Sequence, residues 1–198
     1  MPGPLKPHRR FIASTSGVVA IEFAAILPVL LVMLLATFDG GNAIAVYMKV
    51  RAATDVLATV TNQYSTATPI QSSNMTEIMS ATSAVLAPYS SAPAVVVISE
   101  LEISAAKKTT GTVEWSATQN GTALAVGATE KLPTSLNTKN NNTCSDYPCY
   151  LILAQVSYTY TPLFGYFGSG GIKLSDTEYA TPRSSTCIPY VPTTGTGC

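Results

Sequence analysis

The chain has 198 residues, which is enough for a membrane anchor and one domain of ordinary size. Only 11% of the residues are charged, and the 11 basic side chains balance the 11 acidic ones. Removal of the first 17 residues would leave a mildly acidic chain without a basic cluster, and this composition excludes nucleic acid as a partner.

A long apolar run follows a short basic N-terminal segment. Residues 18–38 number 21, and a helix of that length reaches ~31 Å, which is one bilayer crossing. Three basic residues, Lys6, Arg9 and Arg10, precede the run, whereas two follow it closely. The positive-inside rule therefore predicts a cytoplasmic N-terminus and a C-terminal part outside the cytoplasm.

A cleavable secretory signal is the alternative, since Ala43, Ile44 and Ala45 offer a small-residue cleavage pattern. However, the apolar run is longer than the ~7–15 residues of such a signal. Residues 39–42 also separate the run from the small residues. The pattern therefore favours a membrane anchor.

The helical pattern continues beyond the apolar run. Apolar residues recur in alternating steps of three and four, and this stripe either packs on another helix or covers the exported domain's own core. It consists of Ala43, Val46, Val50, Ala53, Leu57, Val60 and Tyr64. Because Gly40 and Gly41 could bend the helix, the sequence allows either one continuous helix or a hinged pair of helices. We expect a leader at 1–17, an extended helix at 18–64 with the candidate hinge at 39–42, and an exported domain at 65–198.

The remaining pattern predicts an α+β domain. A short helix is expected from residue 74 to about 87, with Asn74 as N-cap, Glu77 completing a capping box, and Pro88 as the stop. The polar residues 120–143 are interpreted as a long loop. Apolar alternation predicts four strands, at 94–104, 112–118, 150–161 and 172–179. The fold class is therefore a long N-terminal transmembrane helix followed by a small antiparallel sheet domain.

All four cysteines lie in the expected exported part, where an even number suggests two disulfides. A metal site is the alternative, but the cysteine spacings do not fit a zinc motif and the single histidine, His8, lies in the leader. Among three possible pairings we favour Cys144 with Cys149 and Cys187 with Cys198.

No enzyme is indicated by the exported part. A nucleophile, a base and an orienting group cannot be assembled there without a histidine, and no carboxylate pair has a predictable partner. Glu100 and Glu102 share one face of a strand and are interpreted as its solvated side. We expect neither catalysis nor a cofactor.

Glu22 is the one charged residue inside the apolar run, where a carboxylate is costly. The side chain could reach back to the headgroups or satisfy amide groups of the first helical turn, where the macrodipole favours negative charge. This structural interpretation leaves Gly17, five residues earlier, without a role.

The segment GVVAIEF, residues 17–23, has basic residues before it and an apolar helix after it, and it resembles the type IV prepilin processing signal. In that family a prepilin peptidase cuts after the glycine. The longer phrase GVVAIEFAAILPVLLVMLLATFDGG resembles the TadE/TadG-like proteins of the tight-adherence (Tad or Flp) pilus system. The distal piece VSYTYTPLFGYFGSGGIKLSDTEYATPR, residues 156–183, resembles the family's C-terminal strand pair.

The resemblance implies a minor pseudopilin of a Tad pilus, anchored in the bacterial inner membrane by a single pass, with its domain in the periplasm. Cleavage after Gly17 would make Val18 the first residue, and Glu22 would neutralise the α-amine of a neighbouring subunit. Pro28 would bend the helix locally. The implied partners are the prepilin peptidase, other pilins and pseudopilins, and the inner-membrane assembly platform.

Two other functions remain open at this stage. An uncleaved anchor would make the chain a periplasmic adaptor of the same secretion machine. An exported adhesin would instead use the Tyr- and Thr-rich strands and the polar loop as a contact surface.

Overall fold

A computed structural model describes residues 17–136, 144, 146–164 and 171–192. In these residues two helices precede five strands. The elements are α1 (Val18–Thr61), α2 (Ser72–Leu86), β1 (Ala94–Ile103), β2 (Thr110–Gln119), β3 (Thr129–Lys131), β4 (Cys149–Tyr160) and β5 (Ile172–Ala180). The predicted α+β class, with a long N-terminal helix and a small antiparallel sheet, is confirmed.

α1 is one uninterrupted helix of 44 residues. Its first half is apolar and exposed, whereas its second half buries the predicted stripe, in which Val46, Val50, Ala53 and Leu57 are fully buried. Each large apolar side chain in that row stabilises the fold by about 1.5–3 kcal/mol because it leaves water. The helix runs through residues 39–42, so the structure has the continuous rod rather than the hinged pair.

α2 packs against the second half of α1. The Nζ atom of Lys49 donates a hydrogen bond to the carbonyl oxygen of Val85 at 3.1 Å, which ties the two helices together. The predicted N-cap is wrong by three residues, because Gln71 is the N-cap and Asn74 is the third helical residue. The Asn74 side chain accepts a hydrogen bond from the Gln71 amide, so the capping box forms without Glu77.

The five strands form one antiparallel sheet in the order β3-β2-β1-β4-β5. A β-bulge between Glu100 and Leu101 shifts the register of β1 against β2. β3 lies inside the segment that the sequence predicts as a long loop, and it pairs with the beginning of β2. The loop prediction is therefore wrong for these three residues.

The sheet separates two apolar clusters. The helix-side cluster joins α1 and α2 to one face of the sheet and includes Leu57 and Ile98. The opposite cluster includes Leu132, Cys144 and Leu153. Because both helices occupy one face, the loop that follows β4 comes to lie beside the middle of α1.

Candidate functional site

The candidate site is the N-terminal half of α1 together with its junction with the domain. Among the described residues one helix, α1, is long and apolar enough to cross a membrane, with a mean hydropathy of 2.8 over its most apolar window. None of these residues is buried by the other residues that the structure describes. This apolar surface is therefore available to lipid or to another protein.

Gly17 lies directly before α1 and has ordinary helical backbone angles, with φ −83° and ψ −20°. Among the described residues, no atom lies within 4 Å of a Cβ atom placed on Gly17. Neither a left-handed conformation nor close packing therefore requires glycine at this position. The described part of the fold therefore gives no reason for a glycine at this position.

Glu22 is the fifth residue of α1, and its side chain is exposed. Among the described residues, no hydrogen bond joins the Glu22 carboxylate to an amide group of the first helical turn. Within the described part of the chain, no hydrogen bond or ion pair to Glu22 is present. The carboxylate thus stands among apolar neighbours without a partner from these residues.

Pro28 lies inside α1, ten residues after Val18. Because proline has no amide hydrogen, it cannot donate a hydrogen bond to the carbonyl oxygen of Ala24. The helix continues on both sides of Pro28. Its expected role as the site of a local bend stays a prediction.

Asp39 joins α1 to the domain. Its side chain is only 1% exposed, and its two carboxylate oxygens accept hydrogen bonds from the backbone amides of Leu163 and Phe164, each at 3.2 Å. The rings of Phe38 and Phe164 meet edge to face with their centroids 6.3 Å apart. We call this set of contacts the Asp39 clasp. It fixes the loop after β4 to α1 at the end of the apolar run.

Sequence reasoning treats Asp39 only as the end of the apolar run, so it misses the clasp. A signal is present in the spacing, since Asp39 lies seven residues before Val46 and therefore on the same face of α1. An acid in phase with a buried apolar stripe indicates a buried polar contact, because a carboxylate is not buried without hydrogen-bond donors.

Glu100 is a second buried acid, and the interpretation of its side chain as solvated is wrong. It is 1% exposed and accepts hydrogen bonds from the Trp115 indole at 3.0 Å and from the Ile188 amide at 2.7 Å. Burial raises the pKa of Glu100 to about 7, although both hydrogen bonds act in the opposite direction. The indole also donates to the Ile188 carbonyl oxygen at 2.8 Å, so Glu100 and Trp115 together hold the C-terminal segment.

Cys144 and Cys149 form a disulfide, with their Cα atoms 5.8 Å apart. This bridge belongs to the apolar cluster on the sheet face opposite the helices. The other predicted pair, Cys187 with Cys198, lies outside the described residues because Cys198 does. In the ranges that the structure describes, no three His, Cys, Asp or Glu side chains are placed to hold a metal ion.

In the residues that the structure describes, fold and site define a class of protein in which an N-terminal helix of membrane-spanning length carries an α+β domain on its second half. Residues 17–58 match the family model described as TadE-like protein. The match extends from Gly17 through Asp39 to the buried stripe of α1. TadE-like proteins are a pilus protein family and are not known as enzymes. No curated protein and no solved structure matches the chain.

Proposed function

We propose that the chain is a minor pseudopilin of a Tad-type pilus, anchored in the inner membrane before it primes or enters the pilus. The observation that carries the proposal is Glu22, an acid with no partner among the described residues, five positions after a glycine that the fold does not require. The TadE-like match supports the assignment. The chain would divide into a leader at 1–17, an extended helix at 18–64 and an exported domain at 65–198.

In this proposal a prepilin peptidase cuts the bond between Gly17 and Val18. No described residue crowds Gly17, and Val18 is 52% exposed, which supports access of a membrane-embedded enzyme to that bond. Cleavage creates an α-amine on Val18, and most of this amine is protonated at neutral pH. The mature chain therefore begins with a cation four residues before the Glu22 carboxylate.

The new amine supplies the partner that Glu22 lacks. In a bundle of α1 helices, the amine of one subunit and Glu22 of its neighbour would form an ion pair away from water. Removal of one member of such a pair is strongly destabilising, because the other charge stays buried and unpaired. The pair would therefore favour one axial offset between neighbouring subunits, and Pro28 would let the helix adjust within the bundle.

The experiment compares variants in cells that make the pilus, with mass spectrometry of membranes and sheared pili as the measurement. Gly17→Ala should accumulate in the membrane with its leader intact. Glu22→Gln should be cut normally but enter pili at least tenfold less than the wild type. Gly40→Ala and Glu77→Gln are matched controls, since Gly40 also has open space and Glu77 is also exposed, and both should behave as wild type.

Different outcomes would favour different functions. Wild-type protein with an intact leader in membranes, and none in pili, would make the chain an uncleaved adaptor of the same secretion machine. Normal pili from both Gly17→Ala and Glu22→Gln would reject the pseudopilin. Binding of the exported domain to a surface or glycan, without any link to pili, would favour an adhesin.

A further inference from the structure

The loop after β4 is held at a defined distance along α1. Asp39 lies 21 residues after Val18, and this length of helix spans ~31 Å, which is the thickness of the hydrocarbon core of a bilayer. The Asp39 clasp fixes the backbone of Leu163 and Phe164 at this level. In a chain whose α1 spans the membrane, the loop therefore lies where hydrocarbon gives way to headgroups.

The same loop exposes apolar side chains that the domain does not cover. Leu163 is 72% exposed and Phe164 is 43% exposed, and Phe38 beside them on α1 is 54% exposed. Outside α1, the other large apolar side chains exposed in the described ranges are Val126 and Val191. Two of the four exposed large apolar side chains outside α1 therefore lie together, next to the end of the apolar run.

A cavity of about 450 Å³ opens beside this loop. Its lining includes several aromatic side chains from α1, from the segment after α2 and from the end of β4. They are Phe38, Tyr89, Tyr158 and Tyr160. Tyrosine combines an apolar ring with a polar hydroxyl group and is enriched where a membrane meets water. The cavity thus offers an apolar wall with polar tips, which suits the part of a phospholipid near its headgroup.

We propose that residues 161–164, together with Phe38 and the neighbouring tyrosines, form a lipid-docking surface that seats the domain on the periplasmic leaflet. This inference rests on the proposed membrane anchoring. The occupant is a phospholipid of the bilayer that α1 crosses, with Leu163 and Phe164 at the boundary between headgroups and acyl chains. The clasp sets the depth of the contact, because the loop cannot leave this level without breaking two hydrogen bonds to Asp39.

The test uses the full chain in vesicles of phosphatidylethanolamine and phosphatidylglycerol with brominated acyl chains, and the bromine lies near the headgroup in one preparation and near the chain ends in another. Leu163→Trp places a fluorescent probe in the loop, and bromine quenches a tryptophan only on close approach. The chain's single tryptophan, Trp115, is 3% exposed and gives the same background in every variant. Val126→Trp is the matched control, since Val126 is 61% exposed, and Leu27→Trp reports whether α1 is inserted.

We expect at least a twofold loss of probe fluorescence for Leu163→Trp with bromine near the headgroup and for Leu27→Trp with bromine near the chain ends, and no loss for Val126→Trp in either preparation. The control also shows that tryptophan does not draw an exposed site into lipid by itself. Quenching of Leu27→Trp without quenching of Leu163→Trp would overturn the docking surface and leave the anchor intact. Absence of quenching at both sites would overturn both. If the quenching of Leu163→Trp by brominated lipid decreases as the ratio of protein to lipid rises, another copy of the chain covers the loop. This result would overturn the lipid assignment.

Discussion

Glu100 shows how one buried carboxyl group makes the stability of the domain depend on pH. Its pKa of about 7 lies above the ordinary value of 4.5 because burial disfavours the charged form. Between these two values the folded protein keeps the proton, whereas the unfolded chain releases it. The stabilisation from this proton is therefore fully present below pH 4.5 and is lost as the pH rises to about 7.

Replacement of Glu100 by glutamine should remove this pH dependence. For the wild type we expect the free energy of unfolding to fall between pH 4.5 and 7 through this group, by about 3 kcal/mol in all. The measurement is urea unfolding of the detergent-solubilised chain, followed by the fluorescence of Trp115, whose indole binds Glu100. In Glu100→Gln, the free energy of unfolding should still fall slightly with rising pH, because burial also raises the pKa of Glu114.

The control for this prediction is Glu77→Gln, which removes a carboxylate at an exposed site. It should keep the wild-type slope of stability against pH. Equal slopes for the wild type and for Glu100→Gln would contradict the assignment of the pH dependence to Glu100.

The environment of Glu100 could not be predicted from the sequence, because its partners are not local. Strand alternation relates Glu100 to its neighbours in β1, but Ile188, which covers it, lies 88 residues further along the chain. Gly17 and Glu22, in contrast, could be identified from the sequence, because they form a short motif with a recognisable spacing. A local sequence pattern can identify a motif such as Gly17 with Glu22. Which polar side chains are buried depends instead on contacts with residues far away in the sequence.

At the scale of elements, the Asp39 clasp is the joint between α1 and the loop after β4. Asp39→Ala should leave the amides of Leu163 and Phe164 without an acceptor, at a cost of about 1–3 kcal/mol for each amide. We expect the free energy of unfolding to fall by about 2–6 kcal/mol, and both amides to exchange with deuterium faster. Asp39→Asn keeps one side-chain acceptor and should lose about half as much. Unchanged protection of both amides in Asp39→Ala would contradict the clasp.

The disulfide between Cys144 and Cys149 stabilises the sheet face that carries no helix. It closes a short loop, with a sequence separation of five, so the loss of chain entropy that it prevents is modest. A double Cys144→Ser, Cys149→Ser variant should lose about 2 kcal/mol in free energy of unfolding. The native fluorescence of Trp115 should not change, since Trp115 lies in the helix-side cluster. A shift of that fluorescence would show that the bridge also supports the opposite face.

Most elements could be predicted because their signals are local. The apolar stripe of α1 and the alternation in β1, β2, β4 and β5 each lie within one segment of sequence. β3 could not be predicted, since Thr129–Lys131 is three polar residues long and forms a strand only because it pairs with β2. The predicted start of α2 is wrong because Gln71, a weaker capping residue than asparagine, supplies the N-cap.

At the scale of the whole molecule, α1 connects two different environments along a rod of ~66 Å. Its first half presents apolar side chains outward, and its second half forms one wall of the domain's core. The clasp lies between these halves and prevents the domain from turning independently of the apolar segment. A partner for Glu22 could not be predicted in detail from one chain, because in the proposed function that partner belongs to another subunit.

Gly40 and Gly41 test whether this rod has to bend. Both lie inside α1, and a Cβ atom on either would meet nothing within 4 Å, so alanine fits at both positions. The double variant Gly40→Ala, Gly41→Ala should raise the free energy of unfolding by about 1–2 kcal/mol, since glycine costs roughly 0.5–1 kcal/mol more than alanine in a helix. Because the neighbouring clasp already holds α1 in one geometry, we expect the double variant to enter pili as well as the wild type.

Gly41→Pro is the opposing variant. Proline at this position removes the amide that donates to the carbonyl oxygen of Thr37 and clashes with that turn, at a cost of about 3 kcal/mol or more. Because Asp39 lies within the same turn, the clasp should open, and the amides of Leu163 and Phe164 should lose their protection from deuterium exchange. Normal stability combined with loss of pili in the double alanine variant would show instead that assembly requires α1 to bend beside Asp39, and that the straight helix is the state before incorporation.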